Sequence, residues 1–176
     1  KKQYELDKTD ELDTEINQLE NRQMAIKILL NSLYGAMGNR WFRYYDLKIA
    51  EGITYSGQLA IRWAEKAMNN SINELLETDE DYVIAIDTDS LYVNFGPLVK
   101  KFNPKDPVKF LDQICKDHFE KNLEKSYKKL NYKMNCHTSR MVMAREAIAD
   151  RGIWTAKKRY ILNVHNNEGV QYTNPK

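Results

Sequence analysis

Apolar positions recur along the chain first at helical and then at strand spacing. From about residue 10 to 36, Leu12, Ile16, Leu19, Ile26, Leu30 and Leu33 return at intervals of three, four or seven, which predicts one long helix with an apolar stripe. Gly35 and Gly38 mark its stop. Its first half is acidic and thinly apolar, so that part is expected to project into solvent. "NRWFRYYDLK" (39–48) is a basic-aromatic connector. A second helix is predicted from about 51 to 77, with Ile53, Leu59, Ala60, Trp63, Ala67 and Leu75 inward, and "TDED" breaks it. "YVIAIDTDSLYVNF" (82–95) reads as two short strands around "DTDS", and "GPLVKKFNPKDP" as a loop. Asp106 and Pro107 start a third helix as N-cap and first-turn proline. It runs to about 130 through Phe110, Ile114, Phe119 and Leu123. "RMVMAREAIA" (140–149) and "KKRYILNV" (157–164) are two further strands.

After residue 50 the order is helix, hairpin, helix, strand, strand. That is an α+β arrangement and most of a βαββαβ layout, an antiparallel sheet with helices on one face, preceded by a long helix. The opening strand of the layout is not visible. With 176 residues, of which 42% are apolar, the chain can bury a core. A net charge of +2 does not by itself announce a nucleic-acid partner. Cys115 and Cys136 form no CxxC pair, and with His118, His137 and His165 scattered no zinc site is read; reduced thiols are expected. No apolar run reaches membrane-spanning length, and "KKQYELDKTDELDTE" lacks a signal-peptide core. The absence of an initial Met suggests an excerpt from a longer chain.

Three stretches could carry chemistry. Lys27, Asn31 and Tyr34, at i, i+4 and i+7, fall within roughly 60° of one another on a helix. They offer a cation, an amide and a ring to one ligand, or form a solvated face. Asp87 and Asp89 would repel on one face of a strand interior, so a turn at "DTDS" is expected to lift both to the end of the sheet. There, with Thr88 and Ser90 beside them, they suit a hard cation such as Mg²⁺, or simply cap the turn through the backbone. An EF-hand loop fails: Tyr92 stands sixth from Asp87 where Gly is needed, and Leu98 twelfth where Glu is needed. "AKKRYILNV" sets Lys157, Lys158 and Arg159 at the start of an apolar strand, with Lys158 and Tyr160 on one face. They suit phosphate contacts, or solubilise a strand end. Glu146, a carboxylate in an apolar run, is expected near the same site. Lys121, Lys125 and Lys128 read as a solvent-facing stripe.

Taken in order, "KILLNSLYGAMGN", "DTDSLYV" and "KKRY" resemble the motifs of the family B DNA polymerases, and within them the replicative type of T-even-like bacteriophages. The first is similar to the fingers motif KxxxNSxYG, with Lys27, Asn31, Ser32, Tyr34 and Gly35 in place. The resemblance implies that residues 1–38 are the C-terminal part of the fingers and 39–176 a palm segment. It implies nucleotide contacts from Lys27 and Asn31, and Tyr34 beside the nascent base pair. Asp89, with Asp87 as its neighbour, would hold two Mg²⁺ ions; Lys157, Lys158, Arg159 and Tyr160 would touch primer-template DNA. The implied substrates are dNTPs, and the implied location is the cytoplasm of a phage-infected bacterium. The chain departs from the pattern at Ile86, where the motif usually has Gly, and in a short linker from Glu146 to "KKRY". Motif A with its essential Asp, the exonuclease domain and the thumb are not recognised. The expectation is therefore a segment inactive without a second polypeptide or the missing remainder. The alternative is a non-catalytic nucleic-acid-binding or assembly module that retains the motifs.

Overall fold

The computed structural model describes residues 10–174. Helix α1 spans Asp10–Met37, α2 Leu47–Leu76, strand β1 Val83–Asp87, β2 Ser90–Val93, α3 Gly96–Phe102 and α4 Pro107–Ile114. A π-turn, Cys115–Phe119, leads into α5, Glu120–Lys133; β3 is Ala147–Ala156, β4 Arg159–Asn167 and β5 Val170–Gln171. The chain forms two compact units divided between Tyr55 and Ser56, within α2.

In the first unit, Asp10, Glu11 and Asp13 occupy the first turn of α1, where negative charge complements the helix dipole. No residue of α1 is buried; Leu19, Ile26, Leu30 and Leu33 of the expected stripe are all exposed. The connector is a series of turns closed by Asp46 N donating to Met37 O at 3.1 Å. Asp46 then caps α2, its carboxylate accepting from Lys48 N at 2.9 Å and Ile49 N at 3.2 Å. The cap explains why α2 begins at Leu47 rather than near 51.

The second unit holds the core. Ala64, Met68 and Ile72 of α2 meet Tyr82, Leu98, Cys115, Phe119, Leu123, Tyr127 and Leu130. The buried face of α2 is thus turned from the expected one: Ala60, Trp63, Ala67 and Leu75 pack at its rim, and Ile53 and Leu59 are exposed. The third predicted helix is interrupted by the π-turn, where Glu120 N donates to Cys115 O. The extra residue rotates the helix so that Cys115, Phe119, Leu123, Tyr127 and Leu130 all point inward. Asp106 caps α4 as expected, accepting from Lys109 N, with Pro107 in the first turn. Part of the expected loop folds as α3, because Leu98 is fully buried and Pro97 suits a first turn.

The α+β class holds, and the strands divide between two antiparallel sheets: a β1–β2 hairpin and a β3–β4–β5 sheet. Leu91 and Val93 of β2 rest on the helical core. The predicted 140–149 strand starts later, at Ala147. Its alternation is real, since Met141 and Met143 pack on the core while Val142 is 88% exposed, but residues 140–146 pair with no strand. The predicted 157–164 strand starts at Arg159, because Lys157 and Lys158 form the turn that joins β3 to β4.

Candidate functional site: a cleft between two turns

Asp87 and Ser90 pair across the end of the first hairpin, which leaves Thr88 and Asp89 as its tip. The tip is tight. Asp89 N donates to Asp87 O at 2.6 Å, two residues back, and Thr88 is left-handed at φ 50°. A β-branched residue there is strained by about 1–3 kcal/mol. Asp87 holds this shape: its carbonyl also accepts from Ser90 Oγ at 3.1 Å, and its carboxylate from Thr88 Oγ1 at 3.1 Å. The Asp89 carboxylate is exposed and has no hydrogen-bond partner among the described residues. The two acids are therefore inequivalent, one engaged in the turn and one free.

The second turn is Lys157–Lys158, closed by the Ala156–Arg159 pair, with Lys158 left-handed at φ 63°. This corrects the expected face: Lys158 lies in the turn, and strand alternation begins only with Arg159 and Tyr160. A cleft of about 290 Å³ lies between β1 and the second turn; of "DTDS" only Asp87 lines it, and Thr88, Asp89 and Ser90 do not. Ile84–Asp87 and Tyr92 form one wall, and Trp154, Lys157 and Lys158 the other. Ile86, in the motif's glycine position, lines it and is 39% exposed. Among the described residues β1 pairs with β2 alone, and its Ile84–Asp87 segment faces a basic turn across the cleft.

Aromatic rings join the walls. Tyr92 meets Trp154 edge-on at 5.5 Å and Tyr160 at 5.2 Å, and Trp154 stacks on Tyr160 at 6.5 Å. Burial, then a hydrogen bond with Tyr160, pushes the Tyr92 hydroxyl above its usual range. Trp154 Nε1 is buried with no partner among the described residues, so contacts of the ring rather than a hydrogen bond hold the indole. Gly152 gives it space: a Cβ there would meet Trp154 Cη2 at 2.6 Å and Leu162 Cδ2 at 2.8 Å. Gly152→Ala is expected to destabilise the chain by about 1–3 kcal/mol through overpacking. Chemical denaturation checks this, and an unchanged midpoint would contradict the close approach.

Other expected site residues lie elsewhere. Glu146 precedes β3, at the end opposite Ala156, and lines a separate cleft with Lys116, Glu120, Arg145 and Glu168; it is not brought to the turns. In the first unit, Lys27, Asn31 and Tyr34 are exposed on α1. The Thr54 hydroxyl donates to Ala50 O at 3.1 Å, so the Tyr34 hydroxyl donates to Thr54 Oγ1 at 2.8 Å. That bond orients the ring. Among the described residues no three His, Cys, Asp or Glu side chains gather as a metal site. Asp87 and Asp89 are hard oxygen donors that fit part of a Mg²⁺ shell, the rest of which water and phosphate oxygens commonly fill.

The chain matches the family described as DNA polymerase family B over residues 1–171. It is 41% identical over 169 residues to the DNA-directed DNA polymerase of Escherichia phage RB69, covering 88% of this chain and 19% of that protein. It is 40% identical over 168 residues to that of Enterobacteria phage T4, covering 87% of this chain and 19% of that protein. A DNA polymerase beta of African swine fever virus is 27% identical over 152 residues, which covers 83% of this chain and 12% of the viral protein. The chain thus spans about a fifth of the length of the phage relatives.

Proposed function

The chain belongs to DNA polymerase family B, and on that footing we propose that it is the fingers-and-palm segment of a DNA-directed DNA polymerase. Residues 1–38 supply the end of the fingers and 39–176 the palm. The reaction is template-directed nucleotidyl transfer: the primer 3′-oxygen bonds to the α-phosphorus of a dNTP as the bond to pyrophosphate breaks. The observation that supports this reading is the cleft whose lining brings Asp87 of "DTDS" together with Lys157 and Lys158 of "KKRY", residues remote in sequence. Phosphoryl transfer needs positioning and charge neutralisation more than covalent help.

Each residue then has a task. Lys27 meets the triphosphate as a point charge, Asn31 lines the same pocket, and Tyr34, fixed by Thr54, presents its ring to the nascent pair. Asp89 holds divalent cations, with Asp87 shaping the turn that presents it. Bound there, Mg²⁺ ions supply charge neutralisation at the reacting phosphate. Lys157, Lys158 and Arg159 contact the DNA backbone and Tyr160 the primer-template. A further acid from a second polypeptide or the rest of the polymerase joins Asp89, and the edge of β1 that pairs with no described strand is where its strand would add. The working place is the cytoplasm of an infected bacterium; no described helix is long and apolar enough to cross a membrane.

Primer extension tests the reading. The chain alone is expected to be inactive, and a second polypeptide carrying the remainder of a family B polymerase is expected to restore extension. Extension by the chain alone would overturn the need for a partner. The second reading, a nucleic-acid-binding module, draws on the absence of a third acid beside the turn among the described residues. Duplex binding without rescued extension would favour it.

A further inference from the structure

We propose that Tyr92 is a positioning residue, which fixes the Asp87–Ser90 turn against the Lys157–Lys158 turn through its ring contacts with Trp154 and Tyr160. The inference rests on the polymerase reading and assigns a task to a residue outside its motif carboxylates and cations.

Neither sheet shares a backbone ladder with the other, so side chains must set the spacing between the turns. Tyr92 is placed for this. Its cross-strand neighbour is Ala85, which leaves the ring free to lean away from β1. Trp154 and Tyr160 are themselves a cross-strand pair at the other wall, four residues before and two residues after Lys158. The three rings therefore close a triangle, with Tyr92 edge-on to both partners at interplanar angles of 78° and 63°. Gly152 is the vacancy that admits the indole.

On its own strand Tyr92 stands two residues after Ser90, whose Oγ donates to Asp87 O at 3.1 Å. The ring contacts thus hold the strand that carries the acidic turn against the strands that carry the basic one. Both turns contain a strained left-handed residue, Thr88 and Lys158. Such backbones persist only where the surroundings over-determine them.

The test combines the chain with the complementing polypeptide and adds fluorotryptophan labelling, which reports Trp154 whether or not nucleotides are incorporated. Tyr92→Leu is expected to move the fluorine resonance of Trp154 and leave those of Trp41 and Trp63 in place. It should lower kcat about ten-fold or more, with KM for dNTP within about two-fold. Tyr92→Phe keeps the rings together and is expected to restore most of kcat. If wild type is active and Tyr92→Leu retains full kcat, the positioning role is wrong. If Phe fails as badly as Leu, the ring contacts are not what carries it. An inactive wild type, with Trp154 still displaced in Tyr92→Leu, would count against the polymerase reading and leave the clamp standing. An undisplaced Trp154 resonance would overturn the clamp itself.

Discussion

Asp112→Ala is expected to destabilise the second unit by about 3 kcal/mol, more than Arg145→Met does. The Arg145 side chain is only 9% exposed. Its guanidinium is held by the Asp112 carboxylate, by Asn166 Oδ1 at 2.8 Å and by Glu146 O at 3.1 Å. Its backbone N donates to Glu120 Oε1 at 2.9 Å, so one residue joins α4, α5 and the start of β3. Loss of Asp112 leaves a buried cation without its counter-charge. Loss of Arg145 is milder, because Asp112 is 23% exposed and keeps Lys116 at 2.9 Å, while Asn166 keeps Gly169 N at 3.1 Å. Urea midpoints of the two variants decide this; equal costs, or the reverse order, would refute it. Acid should act like the mutation. The hydrogen bond from Lys116, then the charge of Arg145, holds the Asp112 carboxyl below its ordinary value of 3.8. A lowered folded value means that the stabilisation is fully present above that ordinary value and fades as pH falls through the folded one. Asp112→Ala should therefore show a shallower loss of stability below about pH 4 than wild type.

What the sequence revealed of this molecule follows the range of the forces involved. Helix α1, the Asp106–Pro107 cap and the "DTDS" hairpin rest on local periodicity and turn chemistry, and they stand where expected. The inward face of α2 was less legible. It depends on which residues the distant Phe119 and Tyr127 approach, and these favour Ala64, Met68 and Ile72. The π-turn has no local signal, since one added residue is chosen by core packing. Met141 and Met143 mimic a strand because alternation reports burial of one face rather than pairing. At the site, the motif residues could be named from order alone, but the cleft could not. The cleft requires Trp154 to fold over Gly152 and meet Tyr92, contacts between residues far apart in the chain. Two overlooked signals were local. Asp46 stands as a cap before Leu47, and a glycine in mid-strand at position 152 marks a close approach.

Asp89→Asn is expected to abolish rescued primer extension, by at least about 10²–10³-fold, without loss of stability. The structural reason is the division of labour at the turn. The Asp89 carboxylate is exposed and takes no hydrogen bond among the described residues, and it lies beside a like charge on Asp87. Removing its charge breaks no contact and relieves repulsion, so stability should change by less than about 0.5 kcal/mol. Asp87→Ala is expected to behave differently. The Asp87 carboxylate accepts from Thr88 Oγ1 at the strained residue, so its change should lower both activity and stability. The pair of variants separates two accounts of these acids. If Asp89 presents a metal and Asp87 shapes the turn, activity and stability part company only at position 89. If both acids merely cap a turn, Asp89→Asn leaves rescued extension intact. If both are ligands of equal weight, the two variants lose activity alike and keep the same melting temperature. Extension rates and thermal melts on the same protein samples distinguish the three outcomes, and only the first agrees with one engaged and one free carboxylate.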